Sequence, residues 1–160
     1  MVKVLVLGMG NPILSDDGVG IVVANALEGK VKGADVATSA MIGLDLLDAV
    51  TGYDKVYLID AMCTRDGMVG DVKKISKEGG AGTMHLFTSH GIHFFELMEL
   101  GKRCGLNMPE IGAVYGIEIG DSVCFGSSLT MELQKKIAPI MDKILGDIST
   151  ACPSYADQSI

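Results

Sequence analysis

Three carboxylates and a cluster of imidazoles stand where they could share one task. Asp16 and Asp17 follow the loop Gly10-Asn11-Pro12-Ile13-Leu14-Ser15, Asp60 closes the apolar run Lys55 to Ile59, and His85, His90 and His93 all fall between positions 85 and 93. His90 precedes a glycine at the junction of a loop and a predicted helix, with His93 about one helical turn further on. Two carboxylates and an imidazole that converge make an oxygen- and nitrogen-rich site for a borderline divalent ion. Imidazole suits nickel or zinc, and three protein ligands leave positions open for a substrate group. Each residue also has a plainer reading. Carboxylates near a helix start are stabilised by its exposed N–H groups and macrodipole, an Asp at a strand end can cap it, and His85 reads as a structural or surface group.

The elements that must position these groups follow from periodicity. Val2 to Leu7 is an apolar run closed by Gly8 and Gly10, the pattern of a strand buried on both faces. Val19, Val22, Val23, Ala26 and Leu27 recur on one helical face, ended by Gly29 and Gly33. Asp35 to Ala40 reads as a shorter strand, Leu44, Leu47 and Val50 as a short helix, and Lys55 to Ile59 as the third strand. Val69 to Ile75 suits a strand nearer a sheet edge, because Asp71, Lys73 and Lys74 must reach water. Lys77 to Gly82 reads as a mobile loop, Gly91 to Arg103 as a helix, and Ile111 to Ile119 as a glycine-interrupted strand. Leu129, Leu133, Ile137, Ile140, Met141 and Ile144 form the strongest helical stripe, with Ser127 or Ser128 as its cap and Pro139 as a kink.

Strands alternating with helices predict an α/β fold, a mainly parallel sheet with helices on both faces. Ligands bind such sheets where strand carboxyl ends diverge, which directs attention to the residues after the first and third strands. Residues 1–148 read as a single domain and residues 149–160 as a flexible C-terminal tail. Gly8 and Gly10 suit a tight turn and close backbone approach, and Gly18 and Gly20 would thin the first helical turn so that a substrate tail can lie against it.

Several function classes are disfavoured. Gly8-Met9-Gly10 invites a dinucleotide-binding reading, but the third glycine of that fingerprint falls on Ile13, and Asp16 and Asp17 would face the pyrophosphate. Thirteen Lys plus Arg against twenty Asp plus Glu give −7, with no basic run, which argues against nucleic acid or an anionic membrane as partner. Cys63, Cys104, Cys124 and Cys152 form no CxxC pair, so neither a zinc knuckle nor a disulfide framework is indicated, and Cys63 reads as a buried thiol. The N-terminus lacks a signal-peptide pattern, and no stretch approaches the roughly 20 apolar residues of a membrane span. A cytoplasmic location is expected.

The run Gly8-Met9-Gly10-Asn11-Pro12-Ile13-Leu14-Ser15-Asp16-Asp17-Gly18-Val19-Gly20 resembles the opening motif of the [NiFe] hydrogenase maturation proteases, the endopeptidases that trim the hydrogenase large subunit. The resemblance extends to Leu58-Ile59-Asp60-Ala61 and to Thr88-Ser89-His90-Gly91, and covers the chain to about Gly146. It implies a three-layer α/β sandwich around a twisted, mostly parallel sheet, with no catalytic serine or cysteine and no permanently bound metal. It further implies that Asp17, Asp60 and His90 contact a metal and carry catalysis, in a protease classed as aspartic-type. The implied reaction removes the C-terminal extension of the large-subunit precursor after nickel insertion. Nickel, for which zinc or cadmium can substitute, would arrive with that substrate and be read by Asp17, Asp60 and His90. The metal could polarise the scissile carbonyl or activate water, or a carboxylate could act as general base, with Asp16 the spare candidate. Glu118, on the fifth strand, would either help select substrate or face solvent. The alternative is a non-cleaving, metal-dependent scaffold or chaperone for the same precursor.

Overall fold

The computed structural model describes residues 2–40, 43–75, 94–120 and 124–151. Strand β1 (Val4–Met9) runs into a 3-10 turn (Ser15–Gly18) and helix α1 (Val19–Leu27). There follow β2 (Ala34–Ser39), α2 (Leu44–Val50), β3 (Lys55–Met62), β4 (Val72–Ile75), α3 (Phe94–Arg103), β5 (Glu110–Glu118), α4 (Met131–Gln134) and α5 (Ile137–Ala151).

The five strands form one sheet in the order β2-β1-β3-β5-β4, parallel except for β4, which pairs antiparallel with β5 at the edge. An edge place for this lysine-bearing segment is what its sequence predicts, and Lys136 and Lys143 donate to the carbonyls of Val69 and Val72 beside it. The chain leaves β1 for β2 on one side and then crosses to β3 on the other, so the topological switch falls between β1 and β3.

Alternation along the strands sorts the core into two layers, because successive side chains point to opposite faces. Val4, Val6, Tyr57, Ile59, Tyr115 and Ile117 pack with Val19, Val23 and Leu27 of α1, Leu133 of α4, and Ile140, Ile144 and Ile148 of α5. Leu5, Leu7, Met9, Val56, Leu58, Met62 and Val114 pack with Leu46, Leu47 and Val50 of α2 and with Phe94, Leu97 and Met98 of α3. The architecture is therefore the expected three-layer α/β sandwich.

Four local expectations are revised. Thr130, not Ser127 or Ser128, caps α4, accepting a hydrogen bond from Leu133 N at 3.4 Å. The single stripe from Leu129 to Ile144 is divided between α4 and α5. Pro139 lies in the first turn of α5, where a missing N–H breaks no helical bond, so it marks a beginning and not a kink. Gly20 is buried, and a Cβ there would collide with the carbonyl oxygens of Met9 and Ile59, so its lack of a side chain lets α1 settle on the strand ends and does not open space for a substrate.

Helix α5 continues through Ala151, past the expected start of the tail at Ser149; residues 152–160 lie outside the described residues. So do Lys77 to Gly82 and the start of the α3 segment at Gly91. Among the described residues, no helix is long and apolar enough to cross a membrane.

Candidate active site

The loop leaving β1 is built around Asn11. Its side-chain oxygen accepts from Ile13 N at 3.1 Å, its carbonyl accepts from Leu14 N at 3.1 Å, and its own amide donates to Asp17 Oδ2 at 2.9 Å. Asn and Asp favour such turns because their short side chains can replace backbone partners. The Asp17 carboxylate is thereby returned to the loop that precedes it, at the carboxyl end of β1. Nothing in the residue types alone singled out Asn11; the available signal was an Asn directly after a strand-ending glycine.

Asp60 is the sixth residue of the eight-residue strand β3 and is only 6% exposed. Alternation aims it toward the layer of α2 and α3, as it does Leu58 and Met62. Its Oδ1 accepts from the amide of Ala61 at 2.8 Å. Desolvation by burial pushes its carboxyl up to about 7, against the lowering effect of the Ala61 amide, and the charge of Asp17 raises it further. The Asp17 carboxyl is also raised by burial, opposed by the Asn11 amide. The two carboxyls are therefore brought within each other's field at the switch between β1 and β3.

His85, His90 and His93, with the whole segment Thr88-Ser89-His90-Gly91, lie outside the described residues. Among the described residues, no group of three His, Cys, Asp or Glu side chains is arranged to hold a metal ion. Asp17 and Asp60 supply two oxygen donor groups, and a proton held by Asp60 would have to leave as a cation arrives, as metal ligation by carboxylates requires.

Asp16 is not available as a spare general base. Its Oδ1 accepts from Thr130 N at 2.6 Å and its Oδ2 from the Thr130 hydroxyl at 2.9 Å. The same stitching continues beside it: Ser15 N donates to Gly126 O at 2.8 Å, the Ser15 hydroxyl to Ser128 O at 2.8 Å, and Gly126 N to Ile13 O at 3.0 Å. Ser15 has φ +47°, an uncommon conformation for a residue with a side chain, held by these bonds. Asp16 thus ties the turn that carries Asp17 to the start of α4.

Glu118 neither faces solvent nor lines an open surface. It is 1% exposed and accepts from Thr64 N at 2.6 Å and from the Thr64 hydroxyl at 2.8 Å, with Gly67 pressed against its carboxylate. It anchors the connection from β3 to β4 through Thr64, four residues after Asp60. Cys63, in that connection, is half-buried against the cluster shared by α1 and α5.

No protein-family model matches this sequence, and no curated protein sequence does. Solved structures do match. The hydrogenase maturating endopeptidase HybD from Escherichia coli superimposes with a TM-score of 0.71 at 21% identity, covering 94% of each chain. The [NiFe] hydrogenase maturation protease HybD from Thermococcus kodakarensis gives 0.63 at 21% identity over 89% of this chain and 97% of that one. HycI from Thermococcus kodakarensis KOD1, also described as a [NiFe] hydrogenase maturation protease, gives 0.68 at 16% identity over 92% and 93%. The chain shares the fold of these proteins along nearly its whole length, with Asp17 and Asp60 at the switch point of that fold.

Proposed function

We propose that this protein is a peptidase of hydrogenase maturation, removing the C-terminal extension of a [NiFe] hydrogenase large-subunit precursor. The observation that carries the reading is the pairing of Asp17, from the turn after β1, with Asp60, near the end of β3, in a fold shared with maturation proteases. Neither Asp16 nor Glu118 competes for the role, since Thr130 and Thr64 occupy them.

In this reading nickel belongs to the substrate, and Asp17, Asp60 and His90 test for it before the peptide bond is cut. Specificity then arises because the site is complete only with the finished substrate. The Asn11 amide orients the Asp17 carboxylate, and the Ala61 amide orients that of Asp60. Held near neutrality, Asp60 can carry a proton or release it at little cost, which suits both a base in hydrolysis and a ligand that must ionise as a cation enters. The proposed reaction takes place in the cytoplasm, with the precursor as protein partner.

The test is the intact mass of the precursor large subunit from the same source, nickel-loaded and nickel-free, after incubation with this protein. Loss of a C-terminal peptide from the loaded form alone supports both the cleavage and the nickel test. Cutting of both forms keeps the peptidase and removes the nickel test. Tight binding of the loaded precursor without any cutting establishes the scaffold in its place.

A further inference from the structure

Asp16 is a buried carboxylate that the proposed reaction does not use, one residue before a carboxylate that it does. It is 8% exposed, and one residue engages both of its oxygens: the Thr130 amide donates to Oδ1 at 2.6 Å and the Thr130 hydroxyl to Oδ2 at 2.9 Å. A carboxylate offers two acceptor oxygens in a fixed fork, so an N–H and an O–H from one partner fix both its place and its plane. Thr130 is itself anchored. Its hydroxyl accepts from Leu133 N at 3.4 Å, and Leu133 is fully buried among the side chains of α1 and α5.

What this tie controls follows from the geometry of the turn. Asp16 and Asp17 lie together in the 3-10 turn Ser15–Gly18, where Asp17 N donates to Leu14 O at 3.1 Å. With three residues per turn, neighbouring side chains leave such a helix about 120° apart. With Asp16 turned toward α4, Asp17 is presented on a different side, and any rotation of the turn swings both together. The turn also needs holding. Ser15 enters it at φ +47°, a left-handed conformation that residues with a side chain seldom adopt, so the backbone by itself favours another path. The bonds of Ser15 to Gly126 O and Ser128 O hold the strained residue itself. The Asp16 pair holds the turn on its far side, next to Asp17. Asn11 then fixes the Asp17 side chain, and Asp16 the backbone that carries it.

We propose that Asp16 is a positioning residue: gripped by Thr130, it sets the direction in which the turn presents the Asp17 carboxylate to substrate. This rests on the peptidase reading above and adds to it a residue that acts through another. The grip works by hydrogen bonds and not by charge or proton transfer. An Asn at position 16 keeps an oxygen for the Thr130 amide, and its Nδ2 can donate to the Thr130 hydroxyl oxygen, so Asn preserves the grip and Ala abolishes it.

The experiment measures kcat/KM for cleavage of the nickel-loaded large-subunit precursor, at a temperature where circular dichroism shows every variant folded. Asp16→Ala should lower it about a hundredfold, the scale of a misplaced reacting group, and Asp16→Asn should stay within about threefold of wild type. Val50→Ala is the control for stability alone. Val50 is fully buried at the end of α2, where the chain turns into the opposite end of β3. Its variant should lower the thermal midpoint and keep kcat/KM within about twofold. If Asp16→Ala does not fold, Thr130→Val takes its place; with the amide still donating to Oδ1 it should lower kcat/KM about tenfold, and Thr130→Ser should restore it.

Wild-type turnover in folded Asp16→Ala, or in Thr130→Val where that stands in, overturns the positioning role and leaves Asp16 a stabilising group. A loss in Val50→Ala as large as in Asp16→Ala overturns it in the same way. Asp16→Asn as impaired as Asp16→Ala overturns it too, and makes the charge of Asp16 part of the chemistry. In each of these cases wild type still cuts, and the peptidase reading stands. A wild type that does not cut the loaded precursor overturns the peptidase reading and the role of Asp16 with it.

Discussion

The amide of Asn11 donates to Asp17 Oδ2 at 2.9 Å, so one bond closes the loop after β1 and fixes the carboxylate that the loop presents. An Asn at position 17 keeps an oxygen that can accept that bond while removing the charge. Asp17→Asn should therefore fold with a thermal midpoint no lower than that of wild type and lose cleavage of the precursor by about a thousandfold or more, a typical loss for a group acting in the transition state. Intact mass and circular dichroism on the same preparation check both halves. Wild-type turnover by this variant removes Asp17 from the mechanism.

Asp60 makes stability depend on pH in an unusual direction for a carboxylate. Its folded carboxyl, near 7, lies above the ordinary value of 3.8, so the folded chain holds more protons than the unfolded one between these limits. Its contribution is fully present below about pH 4 and is lost as pH rises through 7. Asp17, raised by burial as well, acts in the same sense. Urea denaturation from pH 5 to pH 8 should show stability falling, and Asp60→Asn should flatten that slope and stabilise the protein at pH 8 by up to about 4 kcal/mol. A wild-type slope retained in Asp60→Asn assigns it to other groups.

Thr130 holds Asp16 and caps α4 with the same side chain. Thr130→Val removes the hydroxyl but keeps the volume, leaves one oxygen of a buried carboxylate without its partner, and should cost about 2–3 kcal/mol. Thr130→Ser should restore most of it. Equal stability of the Val and Ser variants would show that the hydroxyl contributes nothing.

The same substitution should have opposite signs at two glycines. Gly20→Ala drives a methyl group into the carbonyl oxygens of Met9 and Ile59 and should destabilise by about 3 kcal/mol or more. Gly146→Ala, on an exposed turn of α5 with open space around it, should stabilise by about 0.5–1 kcal/mol. Thermal denaturation of the two variants side by side decides this, and a stable Gly20→Ala would mean that α1 can lift from the strand ends.

Much of this arrangement was legible in the chain itself. The unbroken apolar run of β1, the helical spacing of Val19, Val23 and Leu27, and the apolar run into Asp60 are local patterns, and local patterns survive folding because each matches the period of its own element. The rule that ligands gather at strand carboxyl ends then pointed to the residues after the first and third strands, and the resemblance singled out Asp17 and Asp60 among them, which the structure brings together. The resemblance in the segment Gly8 to Gly20 named the fold that the solved structures share.

Other features depended on residues distant in sequence. Asp16 and Asp17 are adjacent and chemically identical, and only the position of Thr130, 114 residues on, decides that one is bound and the other presented. Glu118 is fully buried because Thr64, 54 residues earlier, lies where it can donate twice. Sequence alone determined the strands, most of the helices and the end of the sheet at which the chemistry lies, since hydrophobic period and charge are properties of neighbours along the chain. Tertiary structure alone decided which carboxylates are spent on architecture, because a buried charge takes its role from whatever hydrogen-bond donor the fold places opposite it.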